Sequence, residues 1–399
     1  MFLDGETLDS FSKTVKKFFT KTDKFLWLLT IAAVAYSILL INSMQRTSDY
    51  NYLQSQLIAV VLGYTVAITI SMIDYENFLR AWWFLGIVGF ILLVIVLFIG
   101  INVTGTDDTA WIRLPGGFSF QPSELVKIIF IITFSKHLQI LNLKEKLHTL
   151  WGMLSLIPHI AVPVLLVHMQ GDDGTALVFL FMFIIMMFAG GVQLRYFSIM
   201  LLLLITSIPI IWKYVLNDEH KNRFLALFDI DGNAMTNYGW QQFQGKVSIA
   251  SGGLEGYGLN NGPRVASGIV PEQENDFIFT VAGEELGFIG CSLLLFILLM
   301  ILIKILIDSS KARDIAGKSI CIGVFAMIAT QTVINIGMVL GFLPVIGITL
   351  PFFSSGGTSI LSVLIGIGLV QSVYTHKSII ESSGVLRNNK YKYTYNTYQ

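Results

Sequence analysis

The sequence predicts an all-α, polytopic integral membrane protein of about ten transmembrane helices, with one large loop between helices 7 and 8. Three observations carry that prediction. Of 399 residues, 54% are hydrophobic and only 13% charged, about half the charged share of a soluble domain. A soluble fold must leave much of its surface to water and has no place for so much apolar area. The apolar residues also fall into charge-free windows of about 20 residues, the length that crosses a bilayer. Lys+Arg and Asp+Glu balance at 26 each, and the two cysteines, Cys291 and Cys321, both sit in apolar runs. A basic nucleic-acid binder and a secreted disulfide scaffold are therefore excluded.

Taken in order, the windows run 25–45, 50–73, 81–106, 147–171, 174–194, 196–212 and 286–303. The first follows a Lys-rich segment and ends in Ile41-Asn42-Ser43-Met44 rather than a small-residue cleavage site, so it reads as an anchor. The stretch 319–376 has no charge at all but is too long for one helix. Pro344, Pro351 and Gly356-Gly357 break its middle, which gives two helices and a short loop. A further span over 124–141 carries Lys127 and Lys136 near its ends. The expected organisation is a tail 1–24, a membrane domain 25–376 containing the loop 217–277, and a polar tail 377–399. Alternate loops hold 18 and seven of the 26 basic residues, with Lys127 inside a helix. By the positive-inside rule both termini are cytoplasmic and 217–277 lies outside.

Four segments on the outward side carry chemistry. The first, Gly105–Lys127, reads GTDDTAWIRLPGGFSFQPSELVK. Pro122 suits a first helical turn, and Glu124 then lies at the positive helix end. Glu124 and Lys127 are three apart and share a face, either as a capping ion pair or as a functional one. Trp111 is an interface aromatic or a site residue, and Arg113 a solvated charge or a phosphate ligand. The second segment is His168-Met169-Gln170-Gly171-Asp172-Asp173-Gly174-Thr175. Its carboxylates suit a helix N-cap, a cation or a sugar hydroxyl, and His168 reads as interfacial. The third is 217–277. Within it, 238–250 suits a half-buried helix lying on the membrane. The run 251–259 (SGGLEGYGL) lacks a P-loop ending and reads as a hinge or lid or as a plain loop. Asp276 follows, where a polar loop meets an apolar helix. Partial desolvation there raises a carboxyl pKa, as a general base requires, although an N-cap aspartate fits the same position. The fourth, Gly341–Ser359, is uncharged and dense in Gly, Pro and Ser, which suits a re-entrant loop lining a site.

These segments together resemble the SEDS family, the polytopic cell-wall proteins that include RodA, FtsW and SpoVE. The matches are FQPSELVK at 120–127, QGDDGT at 170–175, SGGLEGYGL at 251–259, PEQENDFIFTVAGEELGFIG at 271–290 and NIGMVLGFLPVIGITLPFFSSGG at 335–357, in family order across nearly the whole chain. The ending Tyr374-Thr375-His376-Lys377 is closer to the RodA branch. The resemblance implies a ten-span peptidoglycan glycosyltransferase that polymerises lipid II, the undecaprenyl-pyrophosphate-linked disaccharide-peptide, outside the membrane. It also implies a class B penicillin-binding protein as partner. It makes Asp276 the key aspartate and maps the family's second aspartate to Asp172. Departures are Gly171 for Pro, Asp173 for Leu, Ala110 where Arg is common, Glu274-Asn275 where His-Thr is common, and Ser355 for Tyr.

The expected mechanism has Asp276 as general base. Arg113, Lys127, Arg223 and Arg264 are candidates for the pyrophosphate, since Arg forks match phosphate well. Glu124, Gln170, Asp172, Glu284 and Ser354 are further substrate-binding candidates within the family motifs. A divalent cation (Mg or Mn) held by Asp172 or Glu124 could share the charge, although no ligand spacing specifies it. A lipid II flippase is the alternative reading, and a scaffold with a vestigial site a third. A transporter usually shows paired broken helices in two related halves, and the sequence carries no such symmetry.

Overall fold

A computed structural model describes residues 20–45, 51–102, 109–113, 119–216, 218–228 and 239–377. The two terminal tails fall almost wholly outside these residues, as do the tip of the first loop and the middle of the 217–277 segment.

The first half of the chain is α1 (Lys24–Met44), α2 (Tyr52–Met72), the short α3 (Tyr75–Arg80) and α4 (Trp82–Ile99), then a two-strand hairpin. Strands β1 (Ile112–Arg113) and β2 (Ser119–Phe120) are antiparallel, with Ile112 opposite Phe120. There follow α5 (Pro122–Leu143), α6 (Leu150–Met169), α7 (Asp173–Ala189) and α8 (Leu194–Ile210), the last extended by a π-helical turn, Ile211–Val215. The second half is α9 (Asp218–Leu225), α10 (Trp240–Gly252), α11 (Pro263–Ser267), α12 (Ile278–Ser310), α13 (Ile315–Val339) and α14 (Gly357–Thr375).

Eight of these helices are long and apolar enough to cross a membrane. Two further helices stand where the other two spans were expected but do not meet that measure. Asp173–Ala189 is apolar but has 17 residues. Pro122–Leu143 has 22 residues, with Glu124 and Lys127 buried inside the bundle. Local chemistry sets many of the starts. Asp23, Asn51, Asp74, Thr149, Asp172 and Asp314 each accept a backbone N–H as the N-cap of α1, α2, α3, α6, α7 and α13, and Pro122 occupies the first turn of α5.

Two boundaries differ from expectation, and one helix carries an internal break. The window 81–106 is helical only to Ile99. At Gly100 a side chain would strike the Thr109 carbonyl at 2.0 Å, and Ile101 N–H turns to the Trp111 carbonyl at 2.7 Å. The window beginning at 286 belongs to a helix that starts at Ile278, because Glu284 and Glu285 point inward and are buried. That helix is broken at Gly287, whose φ of 63° and ψ of −159° are not helical.

The helices are layered by burial. α13 and α14 form the middle, with 67% and 78% of their membrane windows buried, whereas α8 has none buried. α14 lies along α2, and α13 packs on α5, α7 and α12. Close approach requires small residues at the crossing: Gly368 would strike the Ala67 backbone at 2.7 Å if it carried a side chain.

Candidate active site

The segment between α13 and α14 is the hub on which the motif loops meet, and neutral side chains hold it there. Asn335, fully buried on α13, donates from one amide nitrogen to two carbonyls, Asp276 O and Ile348 O, both at 2.7 Å. One turn therefore carries Asp276 against the hub. The Ser354 hydroxyl donates to Asn275 O and accepts from Leu350 N–H, each at 2.7 Å. Ser355 N–H donates to Glu274 O at 2.8 Å, and Tyr52 from α2 donates to the Glu274 carboxylate at 2.6 Å. Buried polar groups in a membrane protein need such partners, because no water is at hand to supply them.

Asp276 itself is half-buried. Its Oδ2 lies beside Gly347, 3.8 Å from where a Cβ would stand. Gly347 has φ 67°, a conformation that favours glycine, so the backbone can approach the carboxylate here. The N-cap of α12 is Phe277, without a side-chain capping bond. The N-cap position thus falls one residue after Asp276.

The other motifs reach the same hub. Gly174, at the start of α7, abuts the Ile346 carbonyl so closely that a Cβ would lie 2.4 Å from it. Asp172 caps α7 through Thr175 N–H at 2.9 Å and accepts from Gln121 Nε2 at 2.7 Å. Gln121 N–H in turn donates to Thr358 Oγ1 at 3.2 Å, and Thr349 and Ser359 hydroxyls pair at 2.9 Å. Arg223 donates to Val345 O at 3.2 Å, which places a guanidinium on the hub. Asp276, Asp172, Ser354 and Arg223 are therefore brought together through residues 345–358.

The remaining candidates take other positions. Glu124 and Lys127 form a buried ion pair at 2.7 Å, and the second Glu124 oxygen accepts from Ser362 of α14 at 2.7 Å. They fasten α5 to α14 rather than opening to solvent. Gln170 is buried, donating to Leu93 O and accepting from Thr109 N–H, both at 2.9 Å. Arg113 is exposed on the hairpin just before Gln121. His168 pairs with Asp173 at 2.5 Å. Among the described residues no three or more His, Cys, Asp or Glu gather as a metal site. Asp172 and Glu124 have their oxygens engaged as above, so this pair does not fit a shared cation.

One element of the large loop differs from expectation. The glycine-rich run is bonded into the break of α12. Tyr257 and Gly258 N–H reach the carbonyls of Glu284 and Glu285 at 3.1 and 2.8 Å, and Phe288 and Ile289 N–H reach Gly253 and Leu254 at 2.9 and 3.2 Å. It is a plug for a broken helix, not a hinge or lid. α10 is the half-buried helix expected here, and it buries Gln242, Gln244, Gly245 and Ser248 against α12 and α13. Gln242 Nε2 donates to Met338 O at 2.8 Å and Leu343 O at 2.6 Å. Glu284 accepts from Arg264 and Val265 N–H at 2.6 and 3.2 Å, so it caps α11.

On the turn that carries Asp276, one carboxyl is shifted. Burial raises the Glu272 carboxyl above its usual range, a bond from Asn275 opposes this, and the Glu274 charge adds to it. Sequence reading passed over Asn335, Gln121, Gln242 and Gly347 as individuals. The signal for Asn335 was present: an amide in the middle of an uncharged membrane run.

With this geometry in hand, similarities to known proteins can be weighed. The family model for FtsW, RodA and SpoVE, described as cell cycle protein, matches residues 21–379. The peptidoglycan glycosyltransferase MrdB of Escherichia coli K12 is 30% identical over 364 residues, covering 90% of this chain and 95% of that protein. Stage V sporulation protein E of Bacillus subtilis is 30% identical over 370 residues, covering 90% and 98%. The probable peptidoglycan glycosyltransferase FtsW of Geobacter sulfurreducens shares 30% over 361 residues, covering 88% and 95%. Among solved structures, a chain of a peptidoglycan synthase complex superposes with TM-score 0.74 at 25% identity, covering 90% of this chain and 99% of that one. The rod shape determining protein RodA of Thermus thermophilus gives TM-score 0.65 at 25% identity, covering 89% and 97%.

Proposed function

The chain belongs to the FtsW/RodA/SpoVE family of polytopic membrane proteins, and from that premise we propose that it is a peptidoglycan glycosyltransferase. It joins lipid II units into glycan strands on the outer face of the cytoplasmic membrane. Its termini lie in the cytoplasm, as the bias of basic residues indicates. Its partner is a class B penicillin-binding protein, which crosslinks the strands. The likeness to a chain of a synthase complex supports that pairing. The 30% identity is common to relatives of all three branches, so the RodA assignment rests on the C-terminal motif alone.

One observation carries the reading: a half-buried carboxylate, Asp276, stands at the meeting point of four motif loops beside the Gly347 backbone. In the mechanism that follows, Asp276 takes the proton from the acceptor sugar hydroxyl. The resulting oxygen forms a bond to the anomeric carbon of the donor, and the bond from that carbon to the lipid pyrophosphate breaks. Arg223, on the hub, and Arg113, on the neighbouring hairpin, steady the charge that develops on the departing pyrophosphate. Asp172 and Ser354 shape the floor of the site, since both are already tied to backbone. Glu124, Lys127, Gln170 and Glu284 hold the elements around it. The described residues 239–277 form a wall of the site, with α10 and the plug of α12 behind the Asp276 turn.

The test is purified full-length protein with its partner, supplied with lipid II and scored for long strands. Asp276→Ala should abolish polymer while the folded protein persists. Full activity in that variant removes the assignment, and movement of lipid II across vesicles without strand formation would favour the flippase reading instead.

A further inference from the structure

Glu284 and Glu285 are consecutive carboxylates, 0% and 1% exposed, and they sit at the break of α12 rather than in the cluster around Asp276. Each uses one oxygen. Glu284 Oε1 accepts from Arg264 and Val265 N–H. Glu285 Oε1 accepts from the Ser43 hydroxyl at 2.5 Å and Asn260 N–H at 3.1 Å. The second oxygen of each is buried with no hydrogen-bond partner. So is the side-chain carbonyl of Asn260, the residue bonded to Glu285. Gly262 stands between the two acids: a Cβ there would be 3.0 Å from Glu284 Oε1 and 3.0 Å from Glu285 Cγ.

Three buried oxygens without partners thus belong to the 260–265 turn and the two acids bonded to it, two of them on carboxylates. Among the described residues no cationic side chain answers them. The Arg264 guanidinium, the nearest in sequence, is turned to Ser248 Oγ at 2.9 Å and to Gln244. Uncompensated buried charge is among the most costly features a protein can hold. Oxygen-only donors that include two carboxylates and an amide carbonyl are what hard divalent ions take.

We propose that Glu284, Glu285 and Asn260 form a structural site for one hard divalent cation of the magnesium–calcium class. The ion ties the end of α1 (through Ser43), the 260–265 turn and the broken α12 into one unit. A single ion satisfies all three oxygens and neutralises the acids, and a broken membrane helix is a familiar place for such a site. The proposal does not rest on the glycosyltransferase reading, since its readout is ion binding and stability.

The experiment uses the full chain in detergent, stripped with EDTA and titrated with Mn2+ as a spectroscopic stand-in for Mg2+ and Ca2+. Wild type should hold one ion per chain and lose roughly 5 °C of thermal midpoint on chelation, recovered by Mg2+ or Ca2+. The Glu284→Gln/Glu285→Gln variant should bind no ion there and show no response to chelation. Asn260→Ala, which spares the acids, should weaken binding at least tenfold. Asp276→Ala should keep the ion, which separates this site from any at the reacting centre. Absence of a bound ion in wild type, as a proton-only site would give, overturns the proposal. So does an ion that survives the double substitution, or one lost with Asp276→Ala. If the double variant does not fold, wild-type stoichiometry and Asn260→Ala decide alone.

Discussion

The two ends of the helix bundle are held by different chemistry. At the end that carries the chain termini, ions do the holding. Lys304 lies between Asp23 and Asp308, bonding the second at 2.5 Å, and Asp23 is also bracketed by Gln371 at 2.9 and 2.8 Å. Arg313 reaches Glu76 at 2.7 Å and Asp74 at 3.5 Å, and the pull of Tyr75 and these acids lifts its pKa despite burial. At the motif end, the brackets between loops are mostly neutral: Asn335, Gln242, Gln121 and Ser354 each connect two backbone or side-chain partners. The difference has a physical sense. A neutral amide fixes a loop without adding a field, so the electrostatics of the hub are set by its own charges, Asp276 and Arg223 among them. A bracketing ion directly beside Asp276 would compete with the developing charge.

The largest effect should come from breaking the ionic end. Lys304→Met leaves Asp23 and the fully buried Asp308 facing each other without their cation. Removing one partner of a buried pair costs about 3–5 kcal/mol, so thermal unfolding of the full chain should show a heavy loss of stability. If Lys304→Met unfolds like wild type, ions do not hold this end and the contrast fails.

Next comes the neutral bracket at Asp276. Asn335→Asp keeps the shape but replaces an NH2 that serves two carbonyls with an acid that repels them. Polymerisation should fall roughly 100-fold in kcat, about 2.7 kcal/mol, with little change in KM. Gln242→Ala removes a bracket of the same kind at Met338 and Leu343, away from Asp276. It should lower stability with a much smaller loss of kcat. Equal losses in the two variants, in proportion to stability, would reduce Asn335 to a packing residue.

This contrast also explains what could be read in the sequence. The helices were legible, because a span is a local pattern and its caps are local too: Pro122, Asp172 and the Pro/Gly break of 344–357 stand where the spacing put them. The family motifs pointed to Asp276 and to the loop that receives it. What stayed hidden are pairings between distant parts of the chain. Gln121 meets Thr358 and Asp23 meets Gln371 across 237 and 348 residues, and no periodicity encodes such partners. Charge also misled. Glu284 and Glu285 look like the solvated edge of a span, so the window was begun after them, yet they lie inside a helix whose break at Gly287 lets the glycine-rich run supply hydrogen bonds from the side.

The smallest effect tests a poorly placed acid on the Asp276 turn itself. Glu272 belongs to the turn that bears Asp276, and burial, with Glu274 adding to it, raises its pKa above the unfolded value even though Asn275 donates to it at 2.6 Å. A carboxyl raised on folding favours its neutral form in the native state. Its contribution to stability is complete below the unfolded pKa and is lost as pH rises through the folded one. Glu272→Gln keeps an oxygen for Asn275 and removes the charge. The thermal midpoint should therefore rise slightly near pH 7–8, by the equivalent of about 1 kcal/mol or less, and match wild type near pH 4, where both are neutral. A gain that persists at pH 4 would trace the effect to packing, and a loss at pH 7 would mean that the Asp276 turn depends on a second charge after all.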